Sequence, residues 1–437
     1  MNKMNQLSIR FLVVGALVLG MLIPLVFVGG VADERQRYYA EAVGAIADSW
    51  GGDQTIIGPL LVVPVLSHYT TKSDDGELVQ HDRRFQRVVV PETLAVTVSL
   101  DHQFRQRAIY EVPVYLANLT VSGRFTGLET AALMGRYDEV VWEDATLVVG
   151  IQSTHAISEA SSLKWSTTEL PFEAGTGHEW LGSGVHVALP DNLEANAIDF
   201  EFTLQLKGTN SFGVAPVGSK SSMKINSTWP HPSFQGQFLP DQREVRDDGF
   251  TAVWSIHELA RNLPSSWIVG MHDPNLHATR ASVVLHNPVS QYHVIERGIK
   301  YGVLFIALTY LTFVCFELTT PIRFHYVQYG VVGLGLTLFY MTLLSLSEHM
   351  SFVLAYCLAT GLLTGLLSWY VHSMAHSKSL TVSISAIVLS LYIVLYTLLK
   401  LEAFALLAGT GVLLIGLAAL MYATRGLSEH VTDDSPR

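Results

Sequence analysis

Two hydrophobic patterns divide this chain. Residues 11–32 carry no charge, and from about residue 298 to 422 long apolar runs return, split only by short polar hinges. Runs of ~18 or more uncharged apolar residues are long enough to cross a hydrocarbon core of ~30 Å as a helix. The pattern predicts an anchor helix at 11–32 and five more helices at about 299–316, 328–347, 352–371, 380–399 and 402–423. Pro24 falls inside the first run, where a membrane helix tolerates a kink.

Between these regions the periodicity changes. Residues 33–52 place Tyr39, Val43 and Ile46 at helical spacing with charges on the other face, and Gly51-Gly52 ends the pattern. An amphipathic helix continuing the anchor is expected there. From Gln54 to about Asn287 short β-branched runs follow one another: IIGPLLVVPVLSHYT, RRFQRVVVPETLAVTVSL, AIYEVPVYLANLTVSGRF and IDFEFTLQLKGTNSF. They are bounded by Gly, Pro, Asn and Asp, which is strand-and-turn patterning. Helical spacing recurs only in GLETAALMGRY, 127–137. Pro64 and Pro113 lie inside strand-like runs and point to edges, bulges or strand ends. The expected core is β-rich, in two packed sheets.

The predicted fold class is therefore a polytopic α-helical membrane protein with six transmembrane helices. A large β-rich extracytoplasmic domain is inserted between helix 1 and helix 2. The divisions are 1–32 (cytoplasmic N-terminus and anchor), 33–297 (β-rich periplasmic domain), 298–424 (five-helix bundle) and 425–437 (cytoplasmic tail). Gly30-Val31-Ala32 resembles a signal-peptidase site, but the apolar stretch exceeds the ~7–15 residues of a cleaved signal, so an uncleaved anchor is expected. Orientation follows Lys/Arg in short loops. With six crossings, Lys3, Arg10, Arg323, Lys378, Arg425 and Arg437 share one side and Lys400 takes the other. Both termini are expected in the cytoplasm and the β-rich domain outside, in the periplasm if the cell is a Gram-negative bacterium.

Charge narrows the partners. Residues 33–300 hold 32 Asp/Glu against 20 Lys/Arg, a balance of −12. An acidic middle argues against nucleic acid and against docking on an anionic lipid face. The two cysteines, Cys315 and Cys357, both lie in apolar runs, so no disulfide is expected in the middle segment.

Chemical signatures are sparse. The 17 histidines form no HExxH, and no CxxC is present. His272, His277 and His286 share a loop-like stretch, and His372 and His376 are four apart at a helix end. No G-x-S-x-G or phosphate-binding glycine loop occurs. No catalytic residue, metal or cofactor is assigned. The candidate functional or interfacial residues are Glu317, Glu348, His349, Trp229, His231 and Phe234. Glu317, near Arg323 and His325, and the Glu348-His349 pair close predicted helices at opposite membrane faces. Ionisable groups at helix ends are less costly than groups at mid-membrane, and they pair, snorkel or respond to protons. In WPHPSF, prolines flank His231, and Trp229 and Phe234 read as packing anchors. Gly361 and Gly365 form a GxxxG on the fourth helix, a spacing that lets helices approach closely.

Several stretches together are specific. RAIYEVPVY (107–115), WPHPSFQGQFLPDQREVRDDGFTAVW (229–254), QYHVIERGIKYGVLFIALTYLTFVCFE (291–317) and HYVQYGVVGLGLTLFYMTLLSLSEH (325–349) resemble the CreD family of bacterial inner-membrane proteins. The resemblance runs from the anchor to the last helix. It implies a role in the cell-envelope stress response, with effects on envelope integrity and on tolerance to colicins or β-lactams, and it supplies no catalytic residues. Beside the lipid bilayer, the expected partner is a periplasmic protein, lipid or cell-wall component. The leading expectation is a non-enzymatic envelope protein. The alternatives are a transporter or channel for an ion or lipid, and a membrane-tethered periplasmic hydrolase.

Overall fold

The computed structural model describes residues 3–72, 78–128, 139–190, 197–271, 273–285, 291–320, 323–401 and 405–424. The helical spacing noted at 127–137 falls almost wholly outside them, as do His272 and His286. The chain forms two compact units, one of Met1–Tyr39 with Val289–Arg437, the other of Ala40–Pro288.

In the first unit, α1 (Lys3–Gly20) leads into α2 (Leu22–Trp50), whose residues from Ala40 on belong to the second unit. Pro24 explains the break between them. It has no N–H to give the carbonyl of Gly20, so the ladder lapses there, while Leu25 N–H still reaches the Met21 carbonyl. The expected anchor and amphipathic segment are thus one helical run. The others are α3 (Gln291–Thr319), α4 (Tyr326–Ser347), α5 (Phe352–Ala375), α6 (Lys378–Lys400) and α7 (Ala405–Thr424). Five segments among the described residues are long and apolar enough to cross a bilayer: Ile9–Trp50, Tyr292–Leu318, Tyr326–Ser347, Phe352–Met374 and Lys378–Lys400. In α7 the described apolar stretch is Leu407–Ala418. Helix α3 begins well before the expected residue 299, because Tyr292 and Ile295 are buried on one face while Lys300 pairs with Glu296 at 2.7 Å on the other.

These helices are apolar inside and out, as lipid-solvated helices are. Leu334, Leu338, Leu354, Leu358 and Leu362 are exposed. Inside, Phe305, Phe339, Tyr340 and Tyr392 are buried, with Phe339 and Tyr392 ring centroids 4.5 Å apart. Polar groups pin neighbours together: Tyr356 donates to the Tyr392 carbonyl (2.6 Å), and Ser368 and Ser385 hydroxyls meet at 2.6 Å.

The second unit is β-rich. Its long strands are β1 (Gln54–Lys72), β2 (Leu78–Val89), β3 (Thr93–Arg107), β4 (Tyr110–Thr126), β5 (Thr146–Ile151), β6 (Gly184–Ala188), β7 (Ala197–Thr209), β8 (Ser211–Ala215), β9 (Lys220–Ser227), β10 (Pro232–Gly236), β11 (Gln242–Arg246), β12 (Gly249–His257) and β13 (Ala281–Leu285). One sheet orders β6-β5-β1-β8-β13-β10, with β2 also paired to β1; the other orders β11-β12-β9-β3-β4-β7, and short strands extend both. Strands β3, β7 and β9 alternate buried and exposed positions, so one face of this second sheet enters the core and the other meets solvent. Both sheets feed one core that includes Leu61, Val98, Phe212 and Trp254.

The prolines sit where the ladder leaves room. On one side of β1 the pairing to β5 ends at Val62 and the next partner begins at Val65, so Pro64 occupies the gap. Pro113 lies one residue beyond the pairing of β4 with β7, which ends at Val114.

Candidate functional site

The solvent face of the second sheet carries a cleft of about 900 Å³. Strand register builds it. Ser255, Ser222, Ala95, Ser122, Glu201 and Lys164 form one row across six strands. His257, Lys220, Thr93, Arg124 and Asp199 form the next. Small side chains make the floor, and long charged ones rise at one side.

Two cross-strand ion pairs frame this side. Arg124 grips Asp199 with two bonds, 2.6 and 2.9 Å, and Lys164 stands 3.5 Å from Glu201. The hydrogen bond from Arg124 holds the Asp199 carboxyl below its usual range, and the same bond raises the guanidinium. Farther along the same face the rows stay polar and become neutral. Thr97, Thr120 and Thr203 are in register, as are Ser99, Asn118 and Gln205. Gln205 donates to Asn118 (2.8 Å), and Thr251 donates to Asn226 (3.0 Å). Hydroxyls and amides both donate and accept, so this face suits a polar ligand with spaced hydrogen-bonding groups. Among the described residues, no cleft hydroxyl bonds to His257, and no group of three or more His, Cys, Asp or Glu side chains is placed to hold a metal ion.

The residues singled out in the sequence lie elsewhere. Glu317, 9% exposed, accepts from Arg10 at 3.0 Å and takes the backbone N–H of Phe324 on its other oxygen. Its partner is thus Arg10 of α1, and Arg323 is exposed. His325 caps α4, accepting from Val327 N–H. At the other end of α4, Glu348 lies 3.7 Å from Arg35 of α2 and 3.5 Å from the Tyr292 hydroxyl of α3. His349 beside it is exposed.

In WPHPSF, Trp229 is buried and its indole donates to the His231 carbonyl at 3.2 Å. Its ring meets His102 edge-on at 5.4 Å. Phe234 packs edge-on against Phe250 (5.7 Å) and Trp254 (5.9 Å). His231 is exposed. The stretch is a packed corner with one histidine at its surface. The helix-end carboxylates, this corner and the cleft are three separate places. Sequence reading missed the cleft, although alternate positions in 93–99, 118–124 and 199–205 already carried the polar row.

Comparison with known proteins agrees over nearly the whole chain. The family profile described as Inner membrane protein CreD matches residues 6–428. Inner membrane protein CreD of Escherichia coli (strain K12) is 34% identical over 416 residues, covering 94% of this chain and 91% of that one. Among solved structures, two crystal structures of an M1 zinc metallopeptidase from Deinococcus radiodurans, one a mutant bound to a Tyr-Ser-Ala substrate, reach TM-scores of only 0.22 and 0.21 at 8% identity. They cover 78% and 76% of this chain, and 94% and 92% of their own. Scores this low carry no argument about fold or activity. The extent and identity of the sequence match do carry one: this chain belongs to the CreD family of inner membrane proteins.

Proposed function

We propose that this protein is a non-enzymatic envelope protein that crosses the inner membrane six times and holds an envelope component against its β-rich domain. In this reading the termini are cytoplasmic and residues 33–297 are periplasmic. The ion pairs at the bundle ends support that topology. Arg10 and Glu317 share one end of the helical unit, Arg35 and Glu348 the other, as an anchor crossing once before α3 requires. The Lys/Arg bias of the short loops supports the same orientation.

The observation that carries the binding role is the cleft across the second sheet. Its floor of small side chains and its charged side offer neutral and ionic hydrogen bonds together, the mixture that fits a wall fragment, a lipid headgroup or a polar protein segment. A photo-crosslinking residue at Ser222, inside the cleft, and another at Val245, outside it, test this in cells. Adducts specific to Ser222 are expected, and their mass separates wall fragment, lipid and protein. Equal or absent labelling at the two positions rejects the cleft as the binding site.

A transport reading has one feature in its favour. Tyr356, Thr360, Thr364 and Ser368 recur every four residues on α5, and among the described residues the Thr364 hydroxyl is buried without a hydrogen-bond partner. Proteoliposome flux lost on Thr360→Val with Thr364→Val would favour it over the anchoring role.

A further inference from the structure

We infer that the tip of the β3–β4 hairpin is a bilayer-contact site, seated in the phosphate headgroup layer of the membrane that the same chain spans. The inference is independent of what the cleft binds.

On the face that carries Leu100 and Phe104 the hairpin outruns the core, while Tyr110, Val112 and Val114 on its other face stay buried. Pairing continues from Leu100↔Ala117 to Arg107↔Tyr110, and Ala108 turns the chain at φ 54°. Leu100 is buried, whereas Phe104 is 51% and Ile109 44% exposed. Turns of water-exposed hairpins usually carry Gly, Asn or Asp. This one reads Phe-Arg-Gln-Arg-Ala-Ile, with Arg105 and Arg107 exposed beside the two apolar side chains. An apolar wedge rimmed by arginines is the chemistry of an interfacial anchor: the wedge leaves water while the guanidinium groups stay at phosphate depth. The tip is also braced from behind. Phe104 lies 6.2 Å from the Trp229 ring, and the Arg105 guanidinium sits 4.3 Å over Trp50.

Its place within the β-rich unit fits this role. Ile46 packs on Val112 and Val114, and Trp50 donates to the Tyr115 carbonyl. The helix that enters the unit at residue 40 therefore runs beside β4, with its earlier residues toward the tip. The exit strand β13 ends in Leu285, whose N–H binds Asn210, next to the Ser211 carbonyl that accepts from Tyr115. Entry and exit both lie at the end of the unit that carries the tip. Strand β1 starts at this end, beside Gly51 and in parallel register with β8 from Gln54↔Phe212, and leads away from it over 19 residues, a contour of roughly 60 Å at ~3.3 Å per residue. The β1–β2 hairpin, which also exposes Leu78, is thus remote from this end.

The acidic balance argues against the unit as a whole lying on an anionic face, but it acts only weakly on a basic tip. Salt screens exposed charges beyond ~8–10 Å, and a tethered segment meets the surface at high effective concentration. Short-range chemistry at the tip then decides.

The test uses the full chain with Cys315→Ser and Cys357→Ser, reconstituted in nanodiscs of phosphatidylethanolamine and phosphatidylglycerol. A spin label is placed through Ala108→Cys or, as a reference, Leu78→Cys, and its accessibility to oxygen and to a water-soluble nickel chelate is measured. A several-fold higher oxygen-to-nickel ratio is expected at 108 than at 78. Adding Phe104→Ser with Ile109→Ser should return position 108 to the value at 78. Equal ratios at the two positions in the otherwise unaltered chain overturn the proposal, whether or not the double variant folds. An unchanged high ratio in a folded double variant overturns the assignment of the wedge.

Discussion

Arg10 of α1 donates to Glu317 at the end of α3 across 3.0 Å, and the same carboxylate accepts the N–H of Phe324 just before α4. One side chain thus joins three segments at one end of the bundle. Glu317 is nearly buried and Arg10 about a quarter exposed, so losing the arginine strands a charge in poor solvent. Arg10→Gln is expected to cost about 2–4 kcal/mol. Glu317→Gln in the same chain should recover part of this, because an amide still accepts from Phe324. Unfolding of single and double variants in detergent measures the coupling, and additive losses would refute the pairing.

The opposite end is looser. Arg35 is 43% exposed and 3.7 Å from Glu348, and partly exposed pairs contribute ~0–1 kcal/mol. Glu348→Gln should therefore shift stability by less than about 1 kcal/mol. An envelope phenotype from this variant, with unchanged melting, would assign Glu348 a relay role. Wild-type behaviour in both assays would leave it interfacial.

Close helix approach depends on Gly333. A Cβ there would strike the Tyr310 hydroxyl and the Met21 side chain, while that hydroxyl donates to the Tyr329 carbonyl at 2.7 Å. Gly333→Ala is expected to destabilise the bundle by about 1–3 kcal/mol. Gly330→Ala, where nothing lies within 4 Å, is the control and should be close to neutral.

Acid should weaken the β-rich unit through His178. Burial, with a smaller contribution from His186, holds this imidazole below its ordinary value. The unfolded chain therefore binds the proton more readily, and stability falls as pH drops through the ordinary histidine range toward the folded value. His178→Gln should flatten the dependence of melting temperature on pH between about 5 and 7.5. A slope equal to wild type would exclude His178 as its source.

The elements were largely legible in advance because each rests on a local period. Uncharged runs located the bundle helices, and alternation in 93–99 and 197–206 marked strands with one wet face. The helix-end carboxylates were also legible, since charges are conspicuous beside apolar runs. Their partners were not: Arg10 and Glu317 are 307 positions apart in the chain, and no periodicity links them. The cleft was hidden for the same reason. Ser222, Ala95 and Ser122 look like ordinary solvent positions until register sets them in one row.

Composition and spacing alone determined that long apolar helical runs flank a β-rich middle, because transfer free energy follows side-chain type along short windows. Only the folded chain decided that β3 and β9 run parallel, that Arg10 meets Glu317, and that the β3–β4 hairpin leaves Phe104 half exposed beyond the buried Leu100. Those outcomes depend on which surfaces close together when distant segments pack, and that choice belongs to the whole chain rather than to any window of it.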